Sequence, residues 1–161
     1  PRLNETPLSL VSRLAAEKGL AVKAKLASKQ TLTDDTVILA SDTLIAFNGQ
    51  SVGKPENKAD AKRILTMLSG NTHEVLTAIS VLNNTRQQTQ VITTSVTFAA
   101  LTNEQITAYW ETGEPADKAG SYAIQGIGGE FVVSINGSAS AVIGLPLYET
   151  RQLLNEFGVV S

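Results

Sequence analysis

Segments with helical periodicity alternate along this chain with short segments of strand-like pattern. Helical spacing of apolar residues marks residues 9–25 and 57–68, a helix opened by a capping box at 102–105, and a last helix that starts at Pro146. Strand-like runs cover residues 36–40, 44–47, 50–53, 74–82, 91–99, 131–135 and 139–143. Because helix stripes and strand faces must both be buried, the alternation predicts an α/β or α+β fold.

An Asn-Gly pair gives the strongest local turn signal. Asn48-Gly49 separates two strand-like runs, and both residue types tolerate the positive φ of a two-residue hairpin. Extending the hairpin register backwards puts Thr43 opposite Lys54 and predicts that Asp42 and Lys54 share a neighbourhood. An ideal ladder would place Asp42 on the other face, so a common site requires a bulge or a strand end there.

Composition excludes several classes of protein. Of 161 residues, 42% are hydrophobic, which is enough for the core of a single domain over residues 1–161. The absence of cysteine and the single histidine exclude disulfide scaffolds, thiolate zinc sites and polyhistidine metal sites. The net charge of −2 argues against a general nucleic-acid binder, and no run of ~18 apolar residues could cross a membrane.

Two segments carry the best candidates for chemistry. Asp42 ends a buried run and could be presented to a cleft with Lys54, although a surface salt bridge is the commoner reading of such a pair. Residues 117–126 include Gln125, whose amide could read a base edge, although a loop entering a strand is the favoured reading of the segment without other information. The glycines at 126–129 lack the spacing of a dinucleotide-binding fingerprint.

Three isolated residues have simpler interpretations. Glu5 precedes the first helix and Lys18 lies on it, and each alone is typical of a solvated charge. His73 begins a strand, and with no second histidine to share a metal we expect a hydrogen-bonded structural imidazole.

Taken together, these segments resemble the Maf family of nucleotide pyrophosphatases over nearly the whole chain. Separate motifs in a shared order carry the resemblance: residues 4–6 (Asn-Glu-Thr), 13–18 (Arg-Leu-Ala-Ala-Glu-Lys), 41–43 (Ser-Asp-Thr), 53–55 (Gly-Lys-Pro), 68–75, 112–115 (Thr-Gly-Glu-Pro), 117–126 and 142–147. The resemblance implies an α/β fold with a twisted mixed sheet flanked by helices, and two lobes with a cleft between them.

The resemblance also implies an activity, the metal-dependent hydrolysis of nucleoside triphosphates to monophosphates and pyrophosphate. By it, Asp42 is the proton acceptor and Glu5 its acidic partner, and both would bind Mg²⁺ or Mn²⁺. Lys18 and Lys54 would hold the triphosphate. Attack on a polyanion needs a divalent cation, cationic side chains and a positioned base, and magnesium prefers oxygen ligands.

Two positions indicate a branch of the family. The branch that resembles dTTP/UTP pyrophosphatases has threonine after the aspartate and glutamine in the later loop, as Thr43 and Gln125 here. The 7-methyl-GTP branch carries glutamine and glutamate. An amide offers a pyrimidine edge both a donor and an acceptor, so we favour pyrimidine nucleotides. The 7-methyl-GTP branch and a non-catalytic nucleotide-binding regulator of cell division are the alternatives.

The resemblance sets further expectations. The family's N-terminal strand and its Ser-x-Ser-Pro-Arg-Arg loop are not found in this sequence. We expect a cytoplasmic house-cleaning enzyme that forms a homodimer and binds neither nucleic acid nor membranes.

Overall fold

A computed structural model describes residues 1–159 of the chain. The helices are α1 (Pro7–Ser28), α2 (Lys58–Leu68), α3 (Asn103–Glu111), α4 (Ala139–Ile143) and α5 (Leu147–Glu156). The strands are β1 (Ile38–Phe47), β2 (Gln50–Val52), β3 (Thr72–Leu82), β4 (Gln87–Phe98) and β5 (Val132–Asn136). Short 3₁₀ turns lie at Glu114–Asp117, Ala119–Ser121 and Ile127–Phe131. The last two positions of the predicted domain 1–161 lie outside the described residues.

The strands form one sheet in the order β2-β1-β3-β4-β5. The α/β fold with flanking helices is confirmed, but every strand pair in the described residues is antiparallel, so the expected mixed sheet is not observed there. Tight turns join β1 to β2 and β3 to β4, and such turns can connect only antiparallel neighbours. None of the helices in residues 1–159 combines the length and the hydrophobicity that a membrane span requires.

The predicted hairpin forms at Asn48-Gly49. Both residues have positive φ, 50° and 78°, and Phe47 pairs with Gln50 as expected. The positive φ values give the turn a twist that matches the strands it joins.

The ladder of this hairpin is shorter than the sequence predicted. Pairing stops at Val52, so the expected pair between Thr43 and Lys54 is wrong. The carbonyl of Gly53 accepts a hydrogen bond from the amide of Gly120 at 3.1 Å, which draws the chain after β2 away from β1. Lys54 therefore lies on a different surface from the one that the predicted hairpin register implied.

Helices cover both faces of the sheet and leave a cleft on one of them. On one face, α1 packs against even-numbered residues of β1 and β3. On the other face, α2 and α3 cover one apolar group and α5 covers a second. Helix α4 also contacts this face over β3 and β4. The two lobes that the resemblance implies remain a prediction.

Two elements differ from their predicted form. β4 begins at Gln87 rather than 91, because the Asn83 side chain accepts the amides of Thr85 and Arg86 at 2.9 and 3.0 Å and closes a tight turn. The strand predicted at 139–143 is wrong, since these residues form α4. A short apolar run does not distinguish a strand from a buried helix, and the hydroxyl of Ser138 caps this one by accepting the Ala141 amide.

Candidate active site

A cavity of about 250 Å³ opens on the face of the sheet that carries α4. Its wall includes Thr43 of β1, Lys118, Tyr122 and Gln125 of the segment before β5, and Val142 and Ile143 of α4. The structure thus brings together Thr43 and Gln125, the two residues that the sequence linked to base preference. The wall is mostly apolar with a few polar groups, which is the usual character of a small-molecule site.

A chain of hydrogen bonds fixes what Thr43 offers to this cavity. The Thr77 hydroxyl donates to the carbonyl of Ala141 at 2.6 Å. With its proton used there, Thr77 accepts from the Thr43 hydroxyl, which lies 3.1 Å away. The Thr43 oxygen therefore faces a ligand as an acceptor, because a hydroxyl has a single proton to donate.

Asp42 lies on the opposite face of the sheet from Thr43. Successive side chains of a strand point to opposite faces, and Asp42 is on the side covered by α1. There it forms an ion pair with Lys18, whose Nζ also lies 3.4 Å from the carbonyl of Ser41. The Asp42 side chain remains 16% exposed. The structure thus pairs Asp42 with Lys18 rather than with Lys54.

The outer edge of β1 connects the two faces. In the described residues β2 pairs only with positions 45–47, so no strand covers the edge from 38 to 44. Asp42 and Thr43 are neighbours on this open edge. In the described residues the two side chains therefore lie on the two faces of the sheet at consecutive positions of its edge.

Lys54 lies beside a second, more polar cavity of about 260 Å³. This cavity is also lined by Glu56, Asp60 and Arg63. Lys54 is near enough to Asp117 to help lower the pKa of that carboxyl, although the main cause is the hydrogen bond from Lys118 at 2.6 Å. Lys118 therefore places positive charge on the wall of the first cavity, and Lys54 places a second positive charge nearby, beside the second cavity.

Glu5 is held by arginine in this structure. Arg13 Nε and Nη2 donate to its two carboxylate oxygens at 2.7 and 2.9 Å, and the amide of Arg2 donates at 2.9 Å. The hydrogen bond from Arg13 lowers the pKa of Glu5 to about 2. The side chain of Glu5 is therefore an anion whose oxygens are already engaged.

The described residues contain no cluster of three or more acidic or histidine side chains that could hold a metal ion. Magnesium commonly takes only one or two protein carboxylates and completes its shell with phosphate oxygens and water. Asp42 fits that requirement as a single carboxylate ligand once Lys18 moves away from it. Glu5 fits it only if Arg13 releases the carboxylate.

Sequence reasoning did not name several wall residues as site residues. Val142 and Ile143 appeared only within the motif at 142–147, because apolar residues carry no chemical signal of their own, and Lys118 was only part of a longer candidate segment. His73 is confirmed as a structural imidazole, 1% exposed, with Nε2 2.7 Å from the Tyr122 hydroxyl. Tyr122 is thereby anchored behind the cavity that its ring lines.

Comparison with known proteins identifies the family of this chain. The sequence profile of the family described as Maf-like protein matches residues 1–157. A dTTP/UTP pyrophosphatase of Colwellia psychrerythraea is 52% identical over 157 residues, which are 98% of this chain and 73% of that protein. Proteins of the same name from Vibrio vulnificus and Shewanella oneidensis are each 48% identical, over 95% and 99% of this chain and 79% and 80% of their own lengths. With a family match over nearly its full length, the chain belongs to the Maf-like protein family.

Proposed function

We propose that this chain hydrolyses dTTP and UTP to the nucleoside monophosphate and pyrophosphate. The observation that carries the proposal is that Thr43 and Gln125 line one cavity while Asp42, next to Thr43, lies on the same open strand edge. The names of the relatives, dTTP/UTP pyrophosphatase, support the same substrates.

The cavity chemistry suits the base of such a nucleotide. The Thr43 oxygen is an acceptor, and the Gln125 amide offers both a donor and an acceptor. Uracil and thymine present an N–H group between two carbonyls, so their edge can satisfy both residues. The apolar side chains of Val142 and Ile143 can pack against the ring.

The triphosphate would then cross the open edge of β1 towards Asp42. Asp42 is the proposed proton acceptor for the attacking water, and Lys18 and Lys54 are the proposed cationic contacts of the phosphates. A divalent cation, Mg²⁺ or Mn²⁺, held by Asp42 and phosphate oxygens would neutralise charge on the triphosphate. Lys18 must move off Asp42 for this, and its length and 55% exposure allow it.

Glu5, the second proposed acid, has two possible roles because Arg13 holds its carboxylate. The two roles give different outcomes on substitution. If Glu5 binds the metal, Glu5→Gln raises the Mg²⁺ concentration needed for half-maximal activity. If Glu5 only orients Arg13, the substitution lowers stability and leaves that concentration unchanged.

The decisive test is pyrophosphate release from dTTP by Asp42→Asn with Mg²⁺ or Mn²⁺. We expect a loss of roughly 10²–10⁴-fold, the usual contribution of a positioned general base, while the protein stays folded. Asp35→Asn is the matched control, because Asp35 is exposed on the loop before β1. Equal turnover by Asp42→Asn and the wild type would remove Asp42 from this role.

A substrate screen with dTTP, UTP and 7-methyl-GTP separates the alternatives. Preference for 7-methyl-GTP would assign the other branch, and nucleotide binding without metal-stimulated product release would indicate a regulator. The homodimer and the cytoplasmic location remain predictions from the resemblance, and gel filtration of the purified chain tests the first.

A further inference from the structure

Glu114 and Tyr109 form a hydrogen-bonded pair behind the cavity wall. The Tyr109 hydroxyl donates to the Glu114 carboxylate, which also accepts the amides of Ile127 and Gly128, each at 3.0 Å. The same hydroxyl accepts the amide of Ala123 at 3.1 Å. The two side chains therefore hold both ends of residues 123–128, which we call the base loop.

Glycines in the base loop allow this close approach. A Cβ atom on Gly126 would overlap the Glu114 carboxylate, and one on Gly128 would lie 2.5 Å from the Tyr109 hydroxyl oxygen. Gly126 has φ −111° and ψ −151°, an extended backbone open to other residues. The contact with Glu114, and not the backbone, thus requires glycine at position 126.

The charge of Glu114 strengthens its hold on the base loop. Partial burial opposes ionisation, but the hydrogen bonds from Tyr109 and the two amides outweigh it and keep the pKa of Glu114 below its ordinary value. The pKa of Tyr109 is raised by burial and by the neighbouring carboxylate, so its hydroxyl keeps its proton. Hydrogen bonds to an ionised acceptor are roughly twice as strong as neutral ones.

Gln125 lies within the base loop and depends on it for its position. In the described part of the chain, the Gln125 side-chain amide makes no hydrogen bond to other residues. The backbone of the loop therefore fixes the point from which this side chain extends. Whatever holds residues 123–128 also limits the positions at which the amide can meet a ligand.

We propose that Glu114 and Tyr109 are positioning residues that set base preference by holding the base loop, and with it Gln125, against the cavity. The proposal rests on the proposed function, since it names what selects the base in that same site. Neither side chain lines this cavity, so both act through Gln125.

The first experiment compares Tyr109→Phe and Glu114→Gln with the wild type. Phenylalanine keeps the ring that packs edge-on to Phe131, at 4.9 Å between centroids, and removes only the hydroxyl. Glutamine keeps the size of Glu114 but turns a donor towards an amide. We expect kcat/KM for dTTP to fall roughly tenfold, mainly through KM, while kcat/KM for dGTP changes little, so that base preference collapses.

Glu111→Gln is the matched control for these variants. Glu111 lies on the same helix as Tyr109, is 63% exposed and pairs with Lys58 at 2.6 Å. Its substitution should leave the ratio of dTTP to dGTP activity unchanged. Equal losses of kcat/KM for both nucleotides in Tyr109→Phe and Glu114→Gln would mean a general structural role and overturn the proposal.

A double-mutant cycle tests whether Gly126 acts through Glu114. Made in the wild-type background, Gly126→Ala should cause the same loss of base preference as Glu114→Gln, because the new Cβ displaces the Glu114 carboxylate. In a Glu114→Ala background the same change should cost nothing further, since the overlap is gone. Additive losses would show that Gly126 acts independently and would contradict the proposal.

Isothermal titration calorimetry with dTMP and dGMP measures base preference in binding, without turnover. If the wild type binds dTMP but does not hydrolyse dTTP, the proposed function fails while the positioning role is still judged by binding. In that case Tyr109→Phe and Glu114→Gln should weaken dTMP binding roughly tenfold and leave dGMP binding nearly unchanged. If the wild type shows no preference for dTMP over dGMP, the positioning proposal fails as well.

Discussion

His73 illustrates how burial decides the chemistry of a single side chain. Its ring packs edge-on against Phe98 at 5.1 Å between centroids, and Nε2 meets the Tyr122 hydroxyl. Nδ1 is buried without a hydrogen-bond partner among the described residues. A charged imidazole would be poorly solvated there, and burial lowers the pKa of His73 to about 4.

We therefore predict that stability falls with acidification between pH 6.5 and 4. In this window the imidazole of His73 is protonated in the unfolded chain but neutral in the folded protein. Lowering the pH therefore favours unfolding, by up to about 3 kcal/mol at pH 4. Above pH 6.5 both states are neutral and the effect is absent. Urea unfolding from pH 5 to 7.5 measures it, since His73 is the one histidine of the sequence.

His73→Phe supplies the control for that measurement. Removing the titrating group should flatten the profile between pH 5 and 6.5, even though loss of the bond to Tyr122 lowers stability at every pH. A wild-type profile that is already flat in this range would show that the imidazole binds its proton in the folded protein.

The β1–β2 hairpin and α4 show that the conformation of a short element can be set either by its own residue types or by its tertiary neighbours. Asn48 and Gly49 both adopt positive φ, a requirement that their residue types signal locally. Residues 139–143 carry no such signal, and their helix rests on the Ser138 cap and on packing over β3 and β4. Turn chemistry is local and was predictable, whereas the conformation of a short apolar run depends on its tertiary neighbours.

Gly49→Ala tests the local strain at the hairpin. Gly49 has φ 78° and open space where a Cβ atom would lie, so the expected loss of about 1 kcal/mol comes from the backbone alone. Gly53→Ala is the matched control, because Gly53 has equally open space without a positive φ, and it should be nearly neutral. Equal denaturation midpoints for the two variants would contradict the claim that the positive φ of Gly49 causes the loss of stability.

At the scale of the whole molecule, the candidate site is assembled from distant parts of the chain. The strand β1 supplies Asp42 and Thr43, α1 supplies Lys18, and the segment before β5 supplies Gln125. Ligand binding to such a site adds contacts between elements that are distant in the sequence. A bound nucleotide should therefore stabilise the entire fold.

We predict that dTMP at 100 times its dissociation constant stabilises the protein by about 2.7 kcal/mol. For a chain of this size that corresponds to a rise of roughly 5–10 °C in melting temperature. Differential scanning calorimetry with and without dTMP measures the shift. Gln125→Ala should reduce it, whereas the control Glu111→Gln should retain it, and a wild-type Tm that dTMP does not change would contradict binding at this cavity.

Much of the fold and part of the site were readable from the sequence. Helices α1, α2, α3 and α5, the hairpin and the family were predicted, whereas α4 was predicted as a strand. The family resemblance had named Thr43 and Gln125 as substrate-binding residues, and the structure places both on one cavity. The partner of Asp42 was not, because the register was extended past Val52, where the chain leaves the sheet. The roles of Asp42, Glu5, Lys18 and Lys54 in the reaction remain predictions for the experiments above.

The sequence by itself determined the types of most elements, the turn at Asn48-Gly49 and the residues that indicate a pyrimidine nucleotide. The element types and the turn follow from local dihedral preferences and from the periodicity of apolar residues, whereas the pyrimidine reading follows from the family resemblance. Only the tertiary structure decided that Asp42 pairs with Lys18, that Arg13 holds Glu5 and that Glu114 secures the base loop. Each of these contacts depends on which elements pack together, and packing is set by the whole chain at once.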